Sequence, residues 1–271
     1  MAVKLGTGIQ KIALALFYIL IYFALLYFVT IQVGLLEEDI ENYSGVITIL
    51  ASLASLAIYA VIFYIRGVKP KKYVAVKRLA LLDVVLAFTT AVGFRLLTGA
   101  YLMWSEMNVP ILQKSLEGAQ QSYDFNTMTA FGAISVIISV CIVAPVFEEI
   151  LFRGLVQKEL SYVMPEICAV ILQGVLFGMA HAVLAQSIFA AVYGIVLGLI
   201  YSRTKNISVV MCAHVFFNLS SVLEIKSIDM IGRMTLSGLA LTVVSIFVFF
   251  YIYKGKKPAV TGEVTGGSDN V

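Results

Sequence analysis

The sequence predicts an all-α membrane protein, a polytopic transmembrane helical bundle of about eight spans with both termini in the cytoplasm. Three observations carry this expectation. Of 271 residues, 61% are hydrophobic and 13% charged, with a mean hydropathy of +0.96, whereas soluble domains run at roughly half apolar and a quarter charged. Uncharged runs repeatedly exceed the roughly 18–20 residues that cross a bilayer. The Lys and Arg residues between the runs alternate in density from one loop to the next.

The first run, about Ile12–Val33, follows Lys4 and Lys11. It is too long for a cleavable signal region and reads as a retained span. The second is about Gly45–Ile65 and the third about Leu79–Trp104, which holds Asp83 and Arg95. The fourth is about Thr127–Phe147. Ile167–Ser202 carries no formal charge and has room for two short spans, with the turn expected near Ala185–Ser187. The seventh is about Ile207–Leu223 and the eighth about Met234–Tyr253. With the N-terminus inside, fifteen Lys and Arg residues fall on the cytoplasmic side and three outside, namely Lys114, Lys226 and Arg233; an extra or missing span would scramble that asymmetry. The organisation is thus N-terminal helices over 1–126, a core over 127–223, a last span over 224–261 and a Gly/Thr/Ser-rich tail over 262–271, expected to be disordered. The basic stretch Lys69–Arg78 reads as a solvated loop, with a helix lying on anionic lipid as the sharper alternative.

Composition also excludes. The net charge of +3 is small, and no basic stripe interleaves with aromatics outside the apolar runs, so nucleic acid is not an expected partner. Cys141, Cys168 and Cys212 form no metal or redox spacing and read as packed small hydrophobes.

An ionisable group at the centre of a span costs about 2.5–3.5 kcal/mol on insertion scales, so its default reading is functional. The chain has two histidines, His181 and His214, both inside apolar runs, and Glu148–Glu149 follows the fourth run directly after Pro145. Helical spacing of four places Glu149 with Arg153, Phe177 with His181, and His214 with Asn218 on shared faces. In a bilayer such faces turn toward one another or toward trapped water. A carboxylate and a neutral imidazole sharing a water make a general base, and imidazole and amide N–H groups can hold an oxyanion. The reading is that Glu148 and His181 activate water, His214 and Asn218 cradle the oxyanion, Glu149 with Arg153 fixes the geometry, and Phe177 is a wall. The depths conflict if the fourth helix stops at Phe147. They agree if it continues past Pro145 to about Leu160 and the fifth begins near Val163.

Glu148-Glu149-Ile150-Leu151-Phe152-Arg153, Phe177-Gly178-Met179-Ala180-His181 and His214-Val215-Phe216-Phe217-Asn218 resemble the EExxxR, FxxxH and HxxxN motifs of the CPBP family of CAAX prenyl proteases and bacteriocin-processing enzymes. The likeness covers about Met128–Leu223, and the ordered set of motifs is specific. The resemblance implies a glutamate-type intramembrane endopeptidase; the short loops and the lack of an obvious retrieval signal point to a prokaryotic plasma membrane, with the site expected toward the cytoplasmic side. The substrate would be a membrane-associated or prenylated CAAX-type protein or a hydrophobic peptide. Three alternatives stand beside it. A zinc-dependent protease would use Glu148, His181 and His214 as ligands. A non-enzymatic scaffold or bacteriocin-immunity protein would keep the fold alone. A proton-coupled carrier would use the same Glu and His residues as a relay, though the sequence lacks a convincing internal repeat.

Overall fold

In hydrocarbon a helix satisfies its own backbone, which is why the long apolar runs fold as helices. The structure, a computed structural model, describes residues 2–121, 127–221 and 231–254. The helices are α1 (Ala2–Gly34), α2 (Ser44–Ile65), α3 (Leu81–Asn108), α4 (Pro110–Gln121), α5 (Ala130–Leu160), α6 (Glu166–Met179), α7 (Leu184–Thr204), α8 (Ile207–Ser220) and α9 (Ile231–Ile252). Among the described residues there is no strand. The predicted disordered tail 262–271 and the end of the predicted seventh span lie outside the described residues.

Helices α1, α2, α3, α5, α7 and α9 are long and apolar enough to cross a membrane, while α6 and α8 are shorter apolar helices. At 1.5 Å rise per residue the 14 residues of each reach about 21 Å, short of the roughly 30 Å hydrocarbon core. Among the described residues the eight expected spans are therefore six helices long enough to cross and two shorter ones. Those two carry the histidines.

Helix α5 continues through Pro145 to Leu160, and α6 begins at Glu166, so the depth conflict resolves as expected. The turn after α6 is a correction. It lies at Ala180–Val183 rather than Ala185–Ser187, which puts His181 in the turn and not in a helix. Helix α4 was not anticipated, because its composition is too polar for a span. Asp83 and Arg95 pair neither with each other nor with Glu106. Asp83 accepts from Tyr253 Oη at 2.7 Å and from the Ala80 amide at 3.0 Å. Arg95 Nε donates to the Ser220 carbonyl at the C-terminal end of α8, where a cation suits the helix dipole. Of the cysteines Cys141 is buried as expected, but Cys168 is exposed on the outer face.

Large apolar side chains such as Leu20, Phe28, Val61 and Phe247 stand exposed around the bundle, as a lipid-facing surface requires. Inside, one buried cluster gathers α1, α2, α5 and α6 around Tyr18, Phe147, Leu151 and Phe177. The other gathers α3, α7, α8 and α9 around Phe94, Tyr193, Leu197 and Phe249. The α6–α7 contact lies along the seam and is very close. A Cβ on Gly178 would fall 2.5 Å from the Ser187 carbonyl oxygen and 2.6 Å from Ala191 Cβ. Gly178→Val must therefore push α6 and α7 apart. Overpacking of this kind costs about 1–3 kcal/mol, and thermal unfolding in detergent should show a midpoint several degrees lower.

Candidate active site

The site begins with a proline inside a helix. Helix α5 contains two π-helical segments, Ser139–Val143 and Ile150–Val156, flanking Ala144–Glu149. In the first, the Ala144 amide bonds to the Ser139 carbonyl, five residues back. The same pattern would pair residue 145 with the Val140 carbonyl, but Pro145 has no N–H to give. Val140 O is left over, and Asn218 Nδ2 of α8 donates to it at 2.7 Å. A carbonyl only accepts, so this bond also fixes which end of the Asn218 amide is nitrogen. The proline thus docks the HxxxN helix onto α5.

The two adjacent glutamates then part company. Glu149 is fully buried. Its Oε1 accepts from Arg153 Nη1 and from His214 Nδ1, each at 2.8 Å. Arg153 is also fully buried, lies 4.8 Å over the Phe177 ring and donates Nη2 to the Gly194 carbonyl at 3.1 Å. Gln173 Nε2 donates to that same carbonyl at 2.8 Å. Gly194 must be bare for this approach, because a Cβ would sit 3.0 Å from both Gly174 Cα and Phe177 Cδ1. One turn on, Gln157 Nε2 donates to the Gly198 carbonyl. A spacing of four on α5 meets a spacing of four on α7, so the small-residue pattern serves hydrogen bonding as well as packing.

Glu148, one residue earlier, turns to a cavity of about 190 Å³ lined by Glu148, His181, His214, Asn218, Phe177 and Tyr193, among others. Its side chain is 20% exposed, and its Oε2 stands 3.8 Å from His214 Nε2. Because His214 Nδ1–H is given to Glu149, the nitrogen facing Glu148 is Nε2. His181 Nδ1 lies 2.9 Å from the Phe177 carbonyl, an acceptor, so its N–H is spent there and its Nε2 is the free nitrogen. Phe177 meets both imidazoles edge-on, at 4.9 Å from His181 and 5.8 Å from His214 between ring centroids. The structure therefore gathers Glu148, His181, His214, Asn218 and Phe177 around one space, with Glu149 and Arg153 behind it. Among the described residues no three His, Cys, Asp or Glu side chains stand close enough to hold a metal ion.

Sequence reasoning missed Tyr193, Gln173 and Gln186. Tyr193 stacks on Phe94 at 4.6 Å, meets the His214 ring edge-on at 5.7 Å, and donates its hydroxyl to the Ala213 carbonyl. Gln186 lines the cavity from the start of α7. An uncharged residue in an apolar run gives little signal of its own; the absence of charge from Ile167 to Ser202 made Gln173 and Gln186 the polar residues to notice.

Residues 130–220 match the family described as type II CAAX prenyl endopeptidase, Rce1-like. The chain is 27% identical over 133 residues to the "Putative membrane peptidase YdiL" of Bacillus subtilis (strain 168), covering 44% of this chain and 54% of that protein. The chain thus matches about half the length of that curated relative. No solved structure matches it. The family match contains all three motifs and bears out the resemblance read from them.

Restoring an N–H at position 145 tests the proline's role. Pro145→Ala should let the backbone compete for Val140 O and release the Asn218 amide. Thermal stability should hold or rise. Any peptide hydrolysis at this site should fall on the order of tenfold to hundredfold, as small misplacements of reacting groups do.

Proposed function

We propose, on the premise that residues 130–220 belong to the Rce1-like type II CAAX prenyl endopeptidase family, that this integral membrane protein is an intramembrane endopeptidase hydrolysing a peptide bond by Glu148-activated water. The observation that carries the reading is the parting of the glutamate pair: Glu149 is locked between Arg153 and His214, while Glu148 faces a cavity with two imidazole Nε2 atoms. A water held between Glu148 and His181 Nε2 gives a proton to the Glu148 carboxylate as its oxygen attacks the scissile carbonyl. The oxyanion that forms accepts from the Asn218 N–H not spent on Val140, and from His214 when its Nε2 carries a proton. Glu148 then passes its proton to the leaving amine. Glu149 and Arg153 never touch the substrate; they hold the His214 ring in one tautomer and one orientation.

A second cavity supports a lipid-bearing or hydrophobic substrate, as a CAAX-type protein would be. About 400 Å³ in volume, it is lined by Phe94, Leu97, Tyr101, Trp104, Phe189 and Val192 among others, and shares Phe189 with the glutamate cavity. Its lining suits a hydrocarbon chain, and its position would hold that chain beside the scissile bond. The charge asymmetry of the loops supports a site reached from the cytoplasmic side.

Purified protein should cleave a member of a panel of farnesylated CAAX and unmodified hydrophobic peptides. Glu148→Gln and His181→Ala should each reduce kcat by at least about a hundredfold, the scale of lost general-base catalysis. Cleavage that persists in both variants would sink the assignment and favour the scaffold or immunity reading. Loss on chelation with recovery on added zinc would place the water on a metal held by Glu148, His181 and His214.

Filling the apolar cavity separates binding from chemistry. Val192→Trp should raise KM for the lipidated peptide several-fold and leave kcat nearly unchanged, as read from steady-state kinetics on paired lipidated and unlipidated peptides.

A further inference from the structure

At the far end of α5 the fold builds a second polar cluster that the peptidase reading does not use. Glu159 is fully buried. Its Oε2 accepts from Lys11 Nζ at 2.7 Å, and its Oε1 accepts from Arg66 Nη1 at 3.0 Å and from Tyr73 Oη at 2.7 Å. Burial and the hydrogen bond to Glu159 push the Tyr73 phenol above its usual range, so it stays a donor. Arg66 also donates to the Tyr18 hydroxyl. This one carboxylate is saturated.

The cations around it are not. Lys11, Lys158 and Lys72 all stand over the ring of Tyr162, at 4.7, 5.6 and 5.9 Å from its centroid. Three ammonium groups on one ring lie within a Debye length of each other and repel. Among the described residues, Lys72 and Lys158 form no ion pair. With Arg66 there are four cations around one buried carboxylate, and the Lys205–Glu166 pair near Lys158 adds no net charge. Lys11, Arg66 and Lys72 border a cavity of about 800 Å³, whose wall also carries Ile9, Ile12, Val68 and Met164; Lys158 reaches it only through the Tyr162 ring, which lines it. The cavity sits where spans end: Arg66 follows the last residue of α2 and Tyr162 lies two residues past α5. An excess of positive charge beside an apolar wall, at the depth of the headgroups on the Lys/Arg-rich face, matches the demands of one ligand class.

We propose that this cavity binds the phosphate-bearing headgroup of an anionic membrane lipid, its phosphate between Lys11, Lys72 and Arg66 with Lys158 adding positive charge from beside the Tyr162 ring, and its glycerol and upper chains against Ile9, Ile12 and Met164. Lys158 and Glu159 belong to the helix that carries Glu148, ten and eleven residues further along it, so the bound lipid anchors the catalytic helix at its membrane-surface end.

The test is thermal unfolding of the purified full-length protein in neutral detergent, titrated with dioctanoyl phosphatidylglycerol, dioctanoyl phosphatidylcholine or inorganic phosphate. Wild type is compared with Lys72→Gln/Lys158→Gln and with Lys254→Gln, a basic residue away from the cavity. Phosphatidylglycerol should raise the midpoint saturably in wild type and in Lys254→Gln, and phosphatidylcholine should not. The double variant should bind phosphatidylglycerol at least tenfold more weakly, and its lipid-free midpoint should be unchanged or higher, because like charges have been removed. A merely structural role for these lysines would instead lower that midpoint and leave the lipid response intact. The single variant Lys72→Gln, at an exposed position ending the short 3-10 turn Pro70–Lys72, carries the test if the double variant does not fold. Equal responses to the two lipids, or an unaltered response in the variants, would overturn the proposal. A full shift with inorganic phosphate alone would overturn the lipid source in favour of free phosphate.

Discussion

The structure depends on a buried ion pair held in the seam between two apolar clusters. Placing Glu149 and Arg153 away from water carries a desolvation penalty of several kcal/mol per ion, and removing one partner of such a pair typically destabilises by about 3–5 kcal/mol. The surroundings are shaped to offset that. The Arg153 guanidinium spends one arm on Glu149, a second on the Gly194 carbonyl, and lies over the Phe177 ring. Glu149 shares the same oxygen with His214. Four helices are thereby fixed relative to one another: α5 through the pair, α6 through Phe177, α7 through Gly194 and α8 through His214. The absence of side chains on Gly174 and Gly194 is part of the same arrangement, since bulk there would separate α6 from α7 and strip Arg153 of its second acceptor.

The π segments explain how one helix meets that demand twice. An α-helix with Pro145 would leave a bare carbonyl facing hydrocarbon. The widened turn moves the freed acceptor to Val140, where Asn218 reaches it. Such widened turns recur at functional sites because they break the ladder locally and offer the freed group to a side chain. Here the freed group receives a neighbouring helix, and the irregularity sets the distance between Glu148 and the α8 residues.

Much of this was legible in the residues. His181, His214, Glu148, Glu149 and Arg153 stood out because charge in an apolar run has few bland explanations. Spacing of four correctly joined Glu149 to Arg153. It also brought Phe177 against His181, whose rings lie 4.9 Å apart, although the His181 backbone has already left the helix and its Nδ1 bonds to the Phe177 carbonyl. Spacing of four also understated Asn218, whose partner is on α5 and whose pairing depends on an irregularity that no α-helical period displays. The apolar run holding α6 and α7 gave no boundary, because the turn at Ala180–Val183 has no charge, glycine or proline to mark it. Glu159 passed unnoticed for a different reason. Next to a predicted membrane surface a carboxylate is ordinary in sequence, and only the fold shows Lys11 and Arg66 arriving from two other helices.

Adjacency of the two glutamates is itself informative. Consecutive helical residues point about 100° apart, so two neighbouring carboxylates cannot do the same thing in a packed bundle. One must face the core and find a permanent cation; the other is free to face a cavity. Glu149 and Glu148 divide in this way, with side-chain exposures of 0% and 20%. The buried member holds an imidazole whose far nitrogen looks at the exposed member. A single glutamate could orient His214 or face the cavity, but not both. The doubled residue thus couples the ion pair that holds the bundle together to the carboxylate that meets the cavity, through one histidine ring.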